Sequence, residues 1–132
     1  MSFLSIYSSN VKRKKDELAR LKKDRVKYVS DASSASQKIT KLSSQLNNTK
    51  SPSSIKSKLN EISREEKKKS DAEKKVSDYD KKIVTKEREL YNEEIKLQKE
   101  QEKESKNLAL IKKQEILQNQ FKNQLIGNLS TL

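Results

Sequence analysis

An apolar repeat of seven residues runs through nearly the whole chain and is interrupted once. Leu4, Val11, Leu18, Arg25, Ala32, Ile39 and Leu46 are spaced one heptad apart. After a break over residues 47–54 the spacing resumes with Ile55, Ile62, Lys69, Val76, Ile83, Leu90 and Leu97. A stripe this long belongs to helices that pack lengthwise. With Leu4 as position a, the d sites of the first stretch are Tyr7, Lys14, Leu21, Tyr28, Ala35, Leu42 and Thr49. Eleven of its fourteen a and d sites are apolar or aromatic, in a chain that is only 30% hydrophobic. The pattern predicts an all-α fold, a long antiparallel helical hairpin or coiled coil with a C-terminal helical overhang.

The break supplies the turn. Pro52 lacks an amide donor and suits the first turn of a helix, with Ser51 ahead of it as an N-cap. Asn47 and Asn48 are suited to ending the preceding helix. The predicted division is a first helix over residues 1–49, a turn over 50–54, a second helix over 55–126 and a tail over 127–132, Gly127 being the stop. A turn this short favours antiparallel neighbours.

Folding the chain about the break sets Leu46 near Ile55, Ile39 near Ile62, Leu18 near Ile83, Val11 near Leu90 and Leu4 near Leu97. The predicted seam comprises these residues with Leu21, Leu42 and Val76. Its two imperfect layers, Arg25 with Val76 and Ala32 with Lys69, adjoin one another, and their charged heads are expected to snorkel out. Tyr28 and Tyr79 are core d sites with hydroxyls at the edge. The cluster of Phe3, Leu4, Ile6 and Tyr7 is expected to close the open end near Leu90 and Leu97. The second helix has a poor d series: Ala72 and Tyr79 fit, whereas Lys58, Glu65, Lys86 and Glu93 do not. Acid-first pairs four residues apart, Glu65/Lys69, Asp71/Lys75, Asp78/Lys82 and Glu102/Lys106, support that helix from its own surface.

The second helix outruns the first. Its surplus carries Leu108, Leu110, Ile111, Ile116, Leu117, Phe121, Leu125, Ile126, Leu129 and Leu132, too many apolar residues to face water alone. A second chain or a following domain is expected to cover them: a homo-oligomer, a dimer in the first instance, with self-association through Leu110, Leu117, Phe121 and Leu125 and through the ragged d seam of the second helix, or else a protein partner or downstream domain.

Composition narrows the function. The chain has 132 residues, room for one domain at most, and neither Cys nor His. That removes disulfides, thiolate nucleophiles, histidine bases and the usual zinc sites. No Gly-rich phosphate loop and no nucleophile–base pair is present, so no catalytic, cofactor-binding or metal-binding residue is assigned and no enzyme is expected. No membrane span and no secretory signal is legible, which makes a cytoplasmic protein the default. The net charge of +12 is uneven: residues 1–60 hold 14 Lys/Arg against 4 Asp/Glu, while residues 61–106 hold 14 of each sign. Lys12, Arg13, Lys14, Lys15, Arg20, Lys22, Lys23, Arg25 and Lys27 are candidates for an anionic surface such as nucleic acid, set against the plainer reading of a solvated helix face.

Two stretches, MSFLSIYSSNVKRK at residues 1–14 and KSPSSIKSKLNEISREE at residues 50–66, resemble the N-terminal coiled-coil region that precedes a TIR domain in some bacterial proteins, those of staphylococci among them. The resemblance covers about residues 1–110. It implies a helical module that clusters or docks a TIR domain, the signalling or NAD-cleaving part, in bacterial antiphage defence or interference with host immunity. Nothing in these residues matches a TIR fold, and no catalytic residue carries over.

Overall fold

The heptads fold as two helices. The structure, a computed structural model, describes residues 2–130. Helix α1 spans Phe3–Leu46 and α2 spans Pro52–Ser130, with no strand among the described residues. Ser2 caps α1: its hydroxyl accepts from the Ser5 amide at 3.2 Å, and its carbonyl accepts from the Ile6 amide at 3.1 Å. Such a cap satisfies donors that the first turn otherwise leaves open.

Helix α1 stops at Leu46, three residues short of the predicted end. The amides of Asn48 and Thr49 donate to the carbonyls of Gln45 and Leu46 at 3.1 Å, and the Thr49 hydroxyl donates to the Gln45 carbonyl at 2.7 Å. The asparagines therefore do not cap it in the left-handed conformation; no described residue has positive φ. These tight i→i+3 closures satisfy the orphan carbonyls instead. Helix α2 starts at Pro52, which fills the first turn as expected with Ser51 at the N-cap, three residues ahead of the predicted boundary at residue 55; the Ser51 carbonyl accepts from the Ile55 amide at 3.0 Å. The Ser51 hydroxyl pairs with that of Ser53 at 3.1 Å. At the other end Gly127 does not stop the helix, which continues to Ser130. One glycine inside a helix costs about 1 kcal/mol, too little to end it without a breaker beyond. Of the predicted tail, residues 131 and 132, with Leu132 of the apolar overhang, lie outside the described residues.

Two compact units divide the chain. In the unit Lys12–Leu90, contacts from α1 to α2 run in opposite chain directions: Gln45 meets Lys58, Lys38 meets Glu65, Arg25 meets Asp80, and Glu17 meets Lys86. The helices are antiparallel, as a hairpin requires. All a and d sites of this unit are buried or half-buried, including Lys58, Glu65, Lys69 and Lys86. Ala35, Ala72 and Ile83 are its buried apolar residues. Tyr28 and Tyr79 stack across the seam with ring centroids 5.6 Å apart, flanked by the ammonium groups of Lys27 and Lys82.

The register corrects the predicted layers. With Glu17 at Lys86 and Lys38 at Glu65, an a site of α1 lies level with a d site of α2, not with an a site. Arg25 accordingly reaches Asp80, at 2.6 Å, instead of lying over Val76. Ala32 falls level with Ala72, and Lys69 turns to Glu73 at 4.0 Å. Alternating a with d′ keeps successive layers evenly filled when two helices run in opposite directions.

The second unit, Met1–Val11 with Tyr91–Leu132, has a covered and an uncovered part. Leu4, Tyr7 and Val11 turn inward, as do Glu93, Leu97 and Glu100, and the Asn10 amide donates to the Glu93 carboxylate at 3.3 Å. Of the predicted closing cluster, Leu4 and Tyr7 are covered whereas Phe3 and Ile6 are exposed, Phe3 stacking on Tyr7 at 6.2 Å.

Candidate interaction surface

Three features offer surfaces for function, and each follows from the heptad frame. The first is the polar seam. The d residues of α2 that break the apolar pattern face the g column of α1. Glu17 meets Lys86 at 2.8 Å, Lys38 meets Glu65 at 4.0 Å, and Lys58 donates to the Gln45 side-chain amide oxygen Oε1 at 3.1 Å. Lys14 meets Glu89 at 3.0 Å, and Lys86 also meets Glu89 at 2.9 Å, which closes a ring of two lysines and two glutamates. Glu65 pairs further with Lys68 at 3.3 Å, not with Lys69.

The ring polarises its members. Hydrogen bonds from Lys86, then from Lys14, hold Glu89 below the ordinary carboxylate value; the hydrogen bond from Lys86 does the same for Glu17. Those two carboxylates raise the Lys86 ammonium above the ordinary lysine range. All are half-exposed, so the ring selects a register more than it adds stability. The ragged d seam of α2 is thus taken by α1 and is not open for a second chain. The sequence pattern missed this because it scored d sites for apolarity; reading them against the g column of α1 shows complementary partners.

The second feature is the basic face of α1. Lys12, Arg13, Lys15, Arg20, Lys22, Lys23 and Lys27 are exposed, but Lys14 and Arg25 are not part of it. Lys14, with 18% of its side chain exposed, belongs to the ring, and Arg25 to Asp80. A solvent-open groove of about 430 Å³ lies near its end, floored by Ala35 and Ala72 and rimmed by Asp31, Lys38, Glu65 and Lys68. Opposite charges alternate around it, a consequence of two methyl side chains meeting where larger ones would fill the seam.

The third feature is the C-terminal part of α2. Every residue from 101 to 129 is exposed. Leu108, Leu110, Ile111, Ile116, Leu117, Phe121, Leu125, Ile126 and Leu129 each show 50–66% of their surface to solvent. The four residues expected to self-associate, Leu110, Leu117, Phe121 and Leu125, all belong to this set. Among the described residues no group of three or more metal-ligating side chains occurs, and no helix is long and apolar enough to cross a membrane.

These elements define an all-α helical hairpin whose second helix carries a bare apolar segment. No family model matches the chain, and no curated protein or solved structure matches it either.

Proposed function

We propose that the chain is a non-catalytic scaffold that self-associates through residues 101–129 of α2 and so clusters whatever is attached to it. The observation that carries this is the row of nine large apolar side chains held at least half exposed on one helix. A monomer seldom leaves so many large apolar side chains of one segment in water. Clustering makes contacts between attached domains effectively intramolecular, raising their local concentration without any new chemistry. The resemblance to coiled-coil regions of bacterial TIR-domain proteins supplies the cargo of this proposal: a signalling or NAD-cleaving TIR domain, in the bacterial cytoplasm, acting in antiphage defence or against host immune signalling. Light scattering behind a sizing column tests the scaffold. A dimer or larger species, insensitive to salt, is expected, and L117D/F121D is expected to give a helical monomer. A wild-type monomer at micromolar concentration sinks the proposal.

A second reading has its own observation. Lys12, Lys15, Arg20, Lys22 and Lys23 are exposed, and none forms an ion pair within 4 Å. An anionic surface such as nucleic acid is the matching partner. It predicts DNA binding that weakens steeply with salt; binding that survives K22E/K23E/R20E refutes it.

A further inference from the structure

Within the unit Met1–Val11 with Tyr91–Leu132, α1 covers the a and d stripe of α2 as far as Glu100 and no farther. The same a and d positions beyond that point are Glu104 and Asn107, then Ile111, Gln114, Gln118, Phe121, Leu125 and Asn128. We infer that a second copy of this chain takes over the stripe where α1 leaves it, its residues 107–129 lying antiparallel to those of the first in the register of the hairpin. This inference rests on the proposed self-association and specifies its geometry.

Direction follows from the site itself. A partner helix running parallel to α2 on this face meets α1 as it is followed back towards Leu97. One running antiparallel has the direction of α1 and leads away from it. Register follows from the rule seen in the hairpin, where a g site faces a d site, as Glu17 faces Lys86 and Asn10 faces Glu93. Applied to two copies with full overlap, the rule sets Leu117 against Phe121 of the second copy, twice by symmetry, which makes a four-residue apolar centre. Gln124 then faces Gln114 of the second copy, amide to amide. On the opposite edge Glu115 lies level with Lys122 of the second copy, again twice, so the charges are complementary. Each a/d layer mixes one apolar residue with one amide, Leu125 with Gln114 and Ile111 with Asn128. In the hairpin the layers alternate: Leu18 is level with Lys86 and Ile39 with Glu65, an apolar residue with a charged one, whereas Leu21 is level with Ile83 and Leu42 with Ile62.

The area is sufficient. Burying Leu110, Ile111, Leu117, Phe121, Leu125 and Leu129 at about 100 Å² each removes roughly 1,200 Å² of apolar surface over the two copies, the lower bound for a stable interface. The slip of one heptad that extends the overlap pushes the second copy into α1 and sets Glu115 against itself. The opposite slip sets Lys122 against itself.

The absence of cysteine makes the test direct. The wild-type mass is measured first. L125C and Q114C are then prepared separately, mixed, and held in a glutathione redox buffer. The expected result is a dimeric wild type and a disulfide between L125C and Q114C in the mixture, with little self-trapping of L125C. In the inferred register the two copies of residue 125 stand about 16 Å apart along the axis, beyond disulfide reach. Efficient trapping of L125C with itself shows a parallel pair and overturns this inference while leaving the scaffold standing. A dimer that traps in neither arrangement also overturns it. A wild-type monomer overturns the scaffold reading and this inference together.

Discussion

Ile83→Ala probes the seam of the unit Lys12–Leu90 at its most buried side chain larger than alanine. Ile83 is an a site of α2, 8% exposed, in the unit Lys12–Leu90. Truncation removes three carbons from an environment that excludes nearly all water. At about 0.8 kcal/mol per buried methylene-sized group, the transfer loss is about 2.4 kcal/mol. A cavity term adds to this in a closed core, but a two-helix seam is open at its sides and can settle around the gap, so that term is small. Alanine's higher helix propensity returns about 0.4 kcal/mol. The expected loss is therefore about 2 kcal/mol, or roughly 5–10 °C in Tm for a chain of this size. The neighbour Val84, 49% exposed, is the control: Val84→Ala removes two carbons that already face water, and a change within about 0.5 kcal/mol is expected. Urea unfolding followed by helical circular dichroism, at one protein concentration for all variants, gives both numbers. Equal effects at the two positions refute a seam on the a and d columns.

Reversing one member of a polar seam pair, Glu17→Lys, is expected to lower Tm by placing like charges at Lys86, and adding Lys86→Glu to recover only part of the loss, because the swap sets like charges beside Lys14 and Glu89; no recovery in the double variant refutes the pairing. The same ring predicts a pH profile. The folded-state pKa values of Glu17 and Glu89 are lowered, so their contribution is complete above the unfolded value near 4.5 and is lost as pH falls through the lower folded values. Lys86 is raised, so its share is complete below the unfolded value of 10.5 and is lost only as pH rises through the higher folded one. A Tm plateau between about pH 6 and 9 with an acid fall is expected, and E17Q/E89Q flattens part of that fall. At Gly127, where an added methyl meets nothing within 4 Å, Gly127→Ala is expected to stabilise the end of α2 by about 0.5–1 kcal/mol, seen as slower amide exchange at residues 120–129.

The helices and the hairpin were legible because seven-residue spacing is a property of the sequence itself. Leu4, Val11, Leu18 and Ile39 announce one face whatever lies opposite. Helix ends were less legible, since they depend on local bonds that several residues can make: Thr49 closes α1 through its hydroxyl, and Gly127 remains helical. Register was misread because the a series of the two helices were set level, whereas antiparallel helices alternate a with d′, and apolar spacing alone does not choose between the two. Arg25 shows the consequence, its partner being Asp80 and not Val76. The same blindness made Lys58, Glu65 and Lys86 look like gaps in a seam when they are its polar members. The apolar surplus beyond Glu100 was legible, since no α1 residue remains to cover it.

Charge is what distinguishes one heptad register from the next. In the observed pairing Glu17 stands at Lys86 and Lys38 at Glu65, where the Glu65 side chain is only 13% exposed. Moving α2 by one heptad so that Lys58 comes level with Lys38 puts two ammonium groups together and sets Asp31 at Glu65. The opposite slip separates Glu17 from Lys86 and leaves Lys38 level with Ala72, while it brings Asp24 to Lys86 and exchanges Asp80 for Glu87 at Arg25. Half-buried like charges cost more than exposed ones, because water screens them less. An all-leucine d column in α2 would bind α1 more strongly, but would accept either slip and would leave a uniformly sticky seam for other copies. The polar d sites trade stability inside the hairpin for a single register.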